Sequence, residues 1–223
     1  MAFSLEKYQQ FYRDLQVICE QSGRDVNTVS VLAATKYSNA QDINTALAAG
    51  VVCIGENRVQ DGVLKFPLLH KPCEKHFIGH LQTNKVKKAV EYFDVIESVD
   101  RVELIQKLAS ECEKIDKRID VCIQVNIAKD QAKFGVTPEM IPLLMDHIHK
   151  TTFLRLRGFM AIVPYVSDPE LSRSWFRAMK NIFDEYLLLH PYLDILSMGM
   201  THDFRVAVEE GATELRIGSL FFL

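Results

Sequence analysis

Eight short apolar runs, rich in β-branched residues, recur along the chain with a helical pattern between each and the next. They fall at 29–34, 51–54, 76–78, 95–96, 119–125, 154–160, 193–196 and 213–217. Runs of this length and content read as buried strands. The intervening segments carry apolar residues at helical spacing, as in Ile43, Ala46 and Leu47, or Trp175, Met179, Ile182, Phe183 and Tyr186. Glycines stop several of them (Gly23, Gly50, Gly211), and Thr137-Pro138 and Asp168-Pro169 start others. Asp100-Arg101-Val102-Glu103 has the form of a capping box. Strict βα alternation implies a parallel sheet, and eight repeats are the number that closes a (β/α)8 TIM barrel. The expectation is one domain over residues 1–223, an α/β barrel with few insertions. A leading helix over 2–21 (Phe3, Tyr8, Phe11, Leu15, Ile18) fills the place of an eighth outer helix. A doubly wound open sheet is the fallback, disfavoured because no G-x-G-x-x-G follows the first strand.

Composition narrows the function classes. A net charge of −3 and a pI near 6.2 supply no basic field for nucleic acid. The five cysteines (Cys19, Cys53, Cys73, Cys112, Cys122) are scattered and form no C-x-x-C, which argues against a disulfide framework and fits a reducing compartment. No apolar run approaches the ~20 residues of a membrane span, and the N-terminus lacks the pattern of a signal peptide. A soluble, cytoplasmic protein is expected. It is expected to be a monomer, since no apolar stripe is left over from the core.

The chemistry gathers at strand ends. Lys36 follows the first strand, where α/β folds place their ligands; by position alone it reads more readily as a solvated loop lysine, and the rest of the chain decides. The last two strand exits read Ser197-Met198-Gly199-Met200-Thr201-His202-Asp203 and Arg216-Ile217-Gly218-Ser219. Both join glycine to hydroxyl residues where barrels bind phosphate, although each also reads as a plain turn. A phosphate cradle plus a strand-end lysine suggests a phosphorylated aldehyde held as a Schiff base, and pyridoxal 5'-phosphate (PLP) is the obvious ligand. Lysine is a poor nucleophile at its ordinary pKa of ~10.4. Partial burial beside a cation such as Arg216 is expected to bring it down. Arg216 facing a pyridine nitrogen can only donate, which leaves that nitrogen unprotonated and the ring a weak electron sink. From spacing alone it serves equally as an arginine paired with Glu209, Glu210 or Glu214.

These residues carry a resemblance. Ala34-Thr35-Lys36, Gly55-Glu56-Asn57-Arg58-Val59-Gln60, His76-Phe77-Ile78-Gly79-His80-Leu81-Gln82-Thr83-Asn84-Lys85, Ser98-Val99-Asp100-Arg101, Leu156-Arg157-Gly158-Phe159-Met160-Ala161-Ile162 and the two exits above run in order from first strand to last. Together they resemble the signature blocks of the pyridoxal phosphate homeostasis protein family. The resemblance implies a barrel like the N-terminal domain of alanine racemase, with PLP as a Schiff base on Lys36. It implies phosphate contacts from Ser197, Gly199, Met200, Thr201, Gly218 and Ser219, Arg216 toward the pyridine nitrogen, and Asn57 beside the ring. The family's S-K-T-K-P is here Thr35-Lys36-Tyr37-Ser38-Asn39, without the second lysine, and the tail after Ser219 is shorter than usual. Lys133 matches a recurrent family lysine near the rim and reads otherwise as a polar loop residue.

Two further patterns point elsewhere. His76-x-x-x-His80 has the spacing of a zinc helix but lies on a strand and lacks the glutamate of H-E-x-x-H, so no metal is expected. Cys122 reads as a small core hydrophobe. The leading functional expectation is a PLP carrier without substrate turnover, which stores or buffers the cofactor or delivers it to apo PLP-dependent enzymes. A racemase needs a second acid/base group from another domain, for which no residues remain. A slow PLP-dependent racemase is the alternative; a Schiff-base aldolase on a sugar phosphate is the third reading.

Overall fold

Side chains along a strand point alternately to opposite faces, and in this chain both faces are buried, one against helices and one inside a closed barrel. The structure is a computed structural model that describes residues 2–222. Its strands are β1 (Ser30–Ala34), β2 (Cys53–Glu56), β3 (Glu74–Phe77), β4 (Val95–Val99), β5 (Ile119–Val125), β6 (Leu154–Ala161), β7 (Ile195–Met200) and β8 (Glu214–Ile217). They are parallel and follow chain order, and β1 pairs with both β2 and β8, so the sheet has no free edge. The outer layer is α1 (Leu5–Gln21), α2 (Ala40–Ala48), α3 (Val59–Lys65), α4 (Val86–Tyr92), α5 (Val102–Lys114), α6 (Ile141–His149), α7 (Arg173–Leu189) and α8 (Phe204–Glu209). The open-sheet fallback is thereby excluded.

Outward residues such as Ile54, Phe77, Ile96 and Phe159 form one continuous core with Ile43, Leu104, Leu144, Phe176 and Met179 of the helices. Inside the barrel lie two small apolar groups, Leu32 with Cys53 and Ile78, and Val95 with Cys122, Met160 and Ile195. His76, Glu97, Ser197, Glu214 and Arg216 are buried too.

Helix α1 lies against α8 and the C-terminal tail. Phe11 meets Phe221 edge-on with ring centroids 5.2 Å apart and Phe204 at 5.0 Å. The Ser4 amide donates to the Phe221 carbonyl at 2.8 Å.

Several local expectations change. The leading helix begins at Leu5 and not at residue 2, Phe3 instead bridging Phe222, and the second strand runs from Cys53 to Glu56 and not over 51–54. The seventh strand starts and ends later than 193–196, so Ser197 to Met200 belong to the strand and not to a loop. The pairing of β7 with β8 slips between Ser197 and Met200, where Gly199 takes φ +90°. A Cβ there would sit 2.4 Å from that of Ala207, so glycine lets α8 close over the bulge. The capping box does not form: Arg101 caps α5 without a side-chain bond, and Asp100 instead holds the Arg101 guanidinium. Thr137 likewise makes no side-chain cap; Pro138 opens a short 3-10 turn before α6.

Candidate functional site

The carboxyl ends of the strands surround a cavity of about 340 Å³. Lys36, Asn57, Met200, Thr201, Arg216, Gly218 and Ser219 all line it, along with Tyr37, Ser38, Ile78 and His202. The two ends of the chain's strand series therefore meet, because β1 and β8 are neighbours in the closed sheet.

Lys36 is exposed at the mouth, its Nζ 5.0 Å from the centre of the Tyr37 ring. This replaces the expected partial burial. Its backbone is anchored from below: the Thr35 hydroxyl, fully buried, donates to Glu56 Oε1 at 2.7 Å, and Lys65 Nζ bonds both Glu56 Oε1 (2.7 Å) and the Thr35 carbonyl (2.9 Å). Burial raises the Glu56 pKa, opposed by the hydrogen bonds of Lys65 and Thr35. Asn57 is set by a close approach: a Cβ on Gly79 would lie 2.1 Å from the Asn57 carbonyl oxygen, so only glycine lets the two strand exits touch.

Arg216 forms the cavity floor and is buried. Its guanidinium donates to Ser197 Oγ (2.6 Å) and the Ala161 carbonyl (2.7 Å). Of the three glutamates considered for it, Glu209 and Glu210 bond Arg173 on the outside, while Glu214 is buried inside the barrel, where the Arg216 charge reaches it.

The nine expected site residues do not all face the cavity. Ser197 lies inside the barrel, its hydroxyl donating to Glu97 Oε2 at 2.6 Å while accepting from Arg216, so it acts on the cavity through Arg216. Gly199 shapes the bulge beneath α8. The Met200 amide is already donated to Asp203 Oδ1 at 2.7 Å, which leaves Met200 its side chain for the cavity. Among the described residues, the amides of Thr201, His202 and Ser219 have no acceptor, so they and the Thr201 and Ser219 hydroxyls remain as donors. Lys133 sits on the exposed 126–135 loop, outside the lining.

Beneath the floor runs a polar chain that periodicity could not reveal. Glu97 Oε1 lies 2.7 Å from His76 Nδ1, and His76 Nε2 is 3.2 Å from Glu74 Oε2 near the opposite end of the barrel. Burial alone would lower the His76 pKa, but the Glu214 carboxylate and the Cys53 sulfur raise it well above the usual histidine value. Burial and the neighbouring Glu97 charge push Glu214 up to about 8. Burial pushes Cys53 up to about 12 and Cys122 upward as well. His80 does not join His76: it stacks on Phe134 at 3.7 Å outside the barrel, so the H-x-x-x-H pair is not a metal site.

Sequence and structure comparisons agree on kinship. The family of the alanine racemase N-terminal domain matches residues 7–223. The pyridoxal phosphate homeostasis protein of Aquifex aeolicus is 37% identical over 222 residues, 97% of this chain and 96% of the relative. That of Haemophilus influenzae is 35% identical over 93% of this chain and 90% of its own length. The structure of PipY from Synechococcus elongatus with PLP bound superposes with a TM-score of 0.81 at 30% identity, covering 94% of this chain and 99% of PipY. With this fold and extent of identity, the chain belongs to the pyridoxal phosphate homeostasis protein family, built on the barrel of the alanine racemase N-terminal domain.

Proposed function

We propose that this protein binds PLP as a Schiff base on Lys36 and serves cytoplasmic PLP homeostasis, by storage, buffering or delivery, without substrate turnover. The observation that carries the proposal is the shared cavity: one exposed amine, one buried guanidinium and a cluster of free amides and hydroxyls face the same space. Its volume lies within the range of small-molecule sites. The donor set suits the ligand: the Lys36 amine for an aldehyde, Thr201, His202, Gly218 and Ser219 for a phosphate, and Arg216 for the ring nitrogen. PipY, of the same fold and nearly the same length, has been seen with PLP bound.

When bound, PLP supplies an electrophilic carbonyl and an electron-accepting ring. The chain's own residues orient and moderate it. Lys65, Glu56 and Thr35 hold the backbone that carries Lys36. Arg216, kept in place by Ser197, Glu97 and the Ala161 carbonyl, presents N–H groups and no proton acceptor. A ring nitrogen facing it stays unprotonated, which weakens the ring as an electron sink. That matches a carrier. Recipients would be apo PLP-dependent enzymes, and the working form a monomer, checked by light scattering on the eluted peak.

The experiment is the visible spectrum of purified protein before and after borohydride, with the modified peptide mapped by mass spectrometry. A yellow protein whose reduced adduct maps to Lys36, and is lost in Lys36→Ala, supports the reading. An adduct on another lysine overturns it. Amino-acid racemisation at enzyme-like rates that vanishes in Lys36→Ala would overturn the carrier role and leave a PLP-dependent racemase.

A further inference from the structure

At the amino-terminal end of the barrel, away from the PLP cavity, three side chains of metal-binding type converge. Ligand atoms of Cys53 (start of β2), His76 (β3) and Glu214 (start of β8) lie within 4.8 Å of one another, and all three residues are buried. Glu214 Oε2 is 3.8 Å from His76 Nδ1. Two polar atoms of this set, His76 Nε2 and Glu214 Oε1, have no hydrogen-bond partner although shut off from solvent. A buried polar atom without a partner is costly, so each such atom in a folded chain calls for an explanation.

The surroundings supply one. His76 Nδ1 faces Glu97 Oε1 at 2.7 Å. A metal-binding histidine typically donates its other ring N–H to a carboxylate in this way, which fixes the ring and leaves the second nitrogen's lone pair for the ion. Glu74 Oε2 lies 3.2 Å from His76 Nε2, at ion-pair distance but out of line for a well-aligned hydrogen bond. Nitrogen and oxygen ligands at ~2.0–2.1 Å from one tetrahedral ion are separated by about 3.3 Å with no proton between them. The Glu74 side chain is part-exposed, so it offers both a fourth ligand and the route in from solvent.

We propose that Cys53, His76 and Glu214, completed by Glu74, form a binding site for a divalent ion of the zinc class at the base of the barrel. Thiolate, imidazole and carboxylate in one small site select zinc or cobalt over magnesium or calcium. Binding releases the Cys53 thiol proton, and any proton on Glu214 or His76 Nε2, to solvent. The site differs from the His76/His80 pairing rejected above and does not depend on the PLP reading.

The test is titration of the chelator-treated, reduced full chain with Co²⁺ and Zn²⁺. One Co²⁺ per chain is expected, with thiolate-to-cobalt charge-transfer absorption in the near ultraviolet, and Zn²⁺ should displace it. Cys53→Ser should abolish that absorption and weaken Zn²⁺ binding at least ~10-fold. Glu214→Gln should also weaken binding, while Cys73→Ser and Lys36→Ala should leave it unchanged. X-ray absorption of the zinc-loaded wild-type protein requires no variant: one sulfur at ~2.3 Å with nitrogen and oxygen at ~2.0 Å is expected. A shell of nitrogen and oxygen only, or a charge-transfer band that survives Cys53→Ser, would overturn the site.

Discussion

Lys65 Nζ holds the carbonyl oxygen of Thr35 at 2.9 Å, the residue immediately before the lysine proposed to carry PLP. The same ammonium pairs with the fully buried Glu56 at 2.7 Å. A helix-end cation thus ties the exit of β1 to the end of β2.

Removing one partner of such a pair strands the other charge. Lys65→Met should destabilise the fold by about 3–5 kcal/mol, measured by urea denaturation. Adding Glu56→Gln to Lys65→Met should recover part of that loss. If Lys36 depends on this anchor, the reduced PLP adduct should form more slowly in Lys65→Met.

Ser197 tests the floor of the cavity. Ser197→Ala removes the acceptor of Arg216 and the donor to Glu97, two buried bonds of 2.6 Å. A stability loss of about 1–3 kcal/mol is expected. If a comparable loss falls on PLP binding, affinity drops by roughly 10-fold or more, read by absorbance titration. Unchanged affinity would mean that Arg216 needs no support from below.

The interior carboxyl and imidazole give the metal-free protein a definite pH dependence. His76 is raised in the fold, so its stabilising contribution is complete below the unfolded value of ~6.5 and is lost as pH rises through the folded value. Glu214 is raised to about 8, so its contribution also declines as pH climbs from the ordinary carboxylate range toward 8. Glu97, lowered by its bond to His76 despite burial, acts oppositely and loses stability only as pH falls. Denaturation midpoints in chelator should therefore decrease between about pH 5 and 8, by at most ~1.4 kcal/mol per unit for each group. Glu214→Gln should flatten that slope; equal slopes in the two proteins would refute the assignment.

Helix α1 should be integral to the barrel. Phe221 is fully buried between Phe11 and Tyr8. Phe221→Ala should cost about 3–5 kcal/mol, seen as a lower denaturation midpoint. A loss below ~1 kcal/mol would show that α1 is only loosely attached.

The sequence by itself determined the barrel and the identities of its mouth residues. Strand and helix periodicities are local, and eight alternations admit few closed arrangements. Lys36, Thr201, Arg216, Gly218 and Ser219 were legible because they stand at strand exits, where position in the repeat dictates position in space. What only the tertiary structure decided lies inside the barrel and in the register. Which residues beyond Ser197 face the cavity turns on a bulge at Gly199, since a slip of one residue exchanges the faces of a strand. The meeting of Cys53, His76, Glu97 and Glu214 depends on inward positions from three neighbouring strands and from β8, reached by closing the sheet; no spacing along the chain encodes it. Lys65 reads as a surface lysine until α3 is laid against the end of β1.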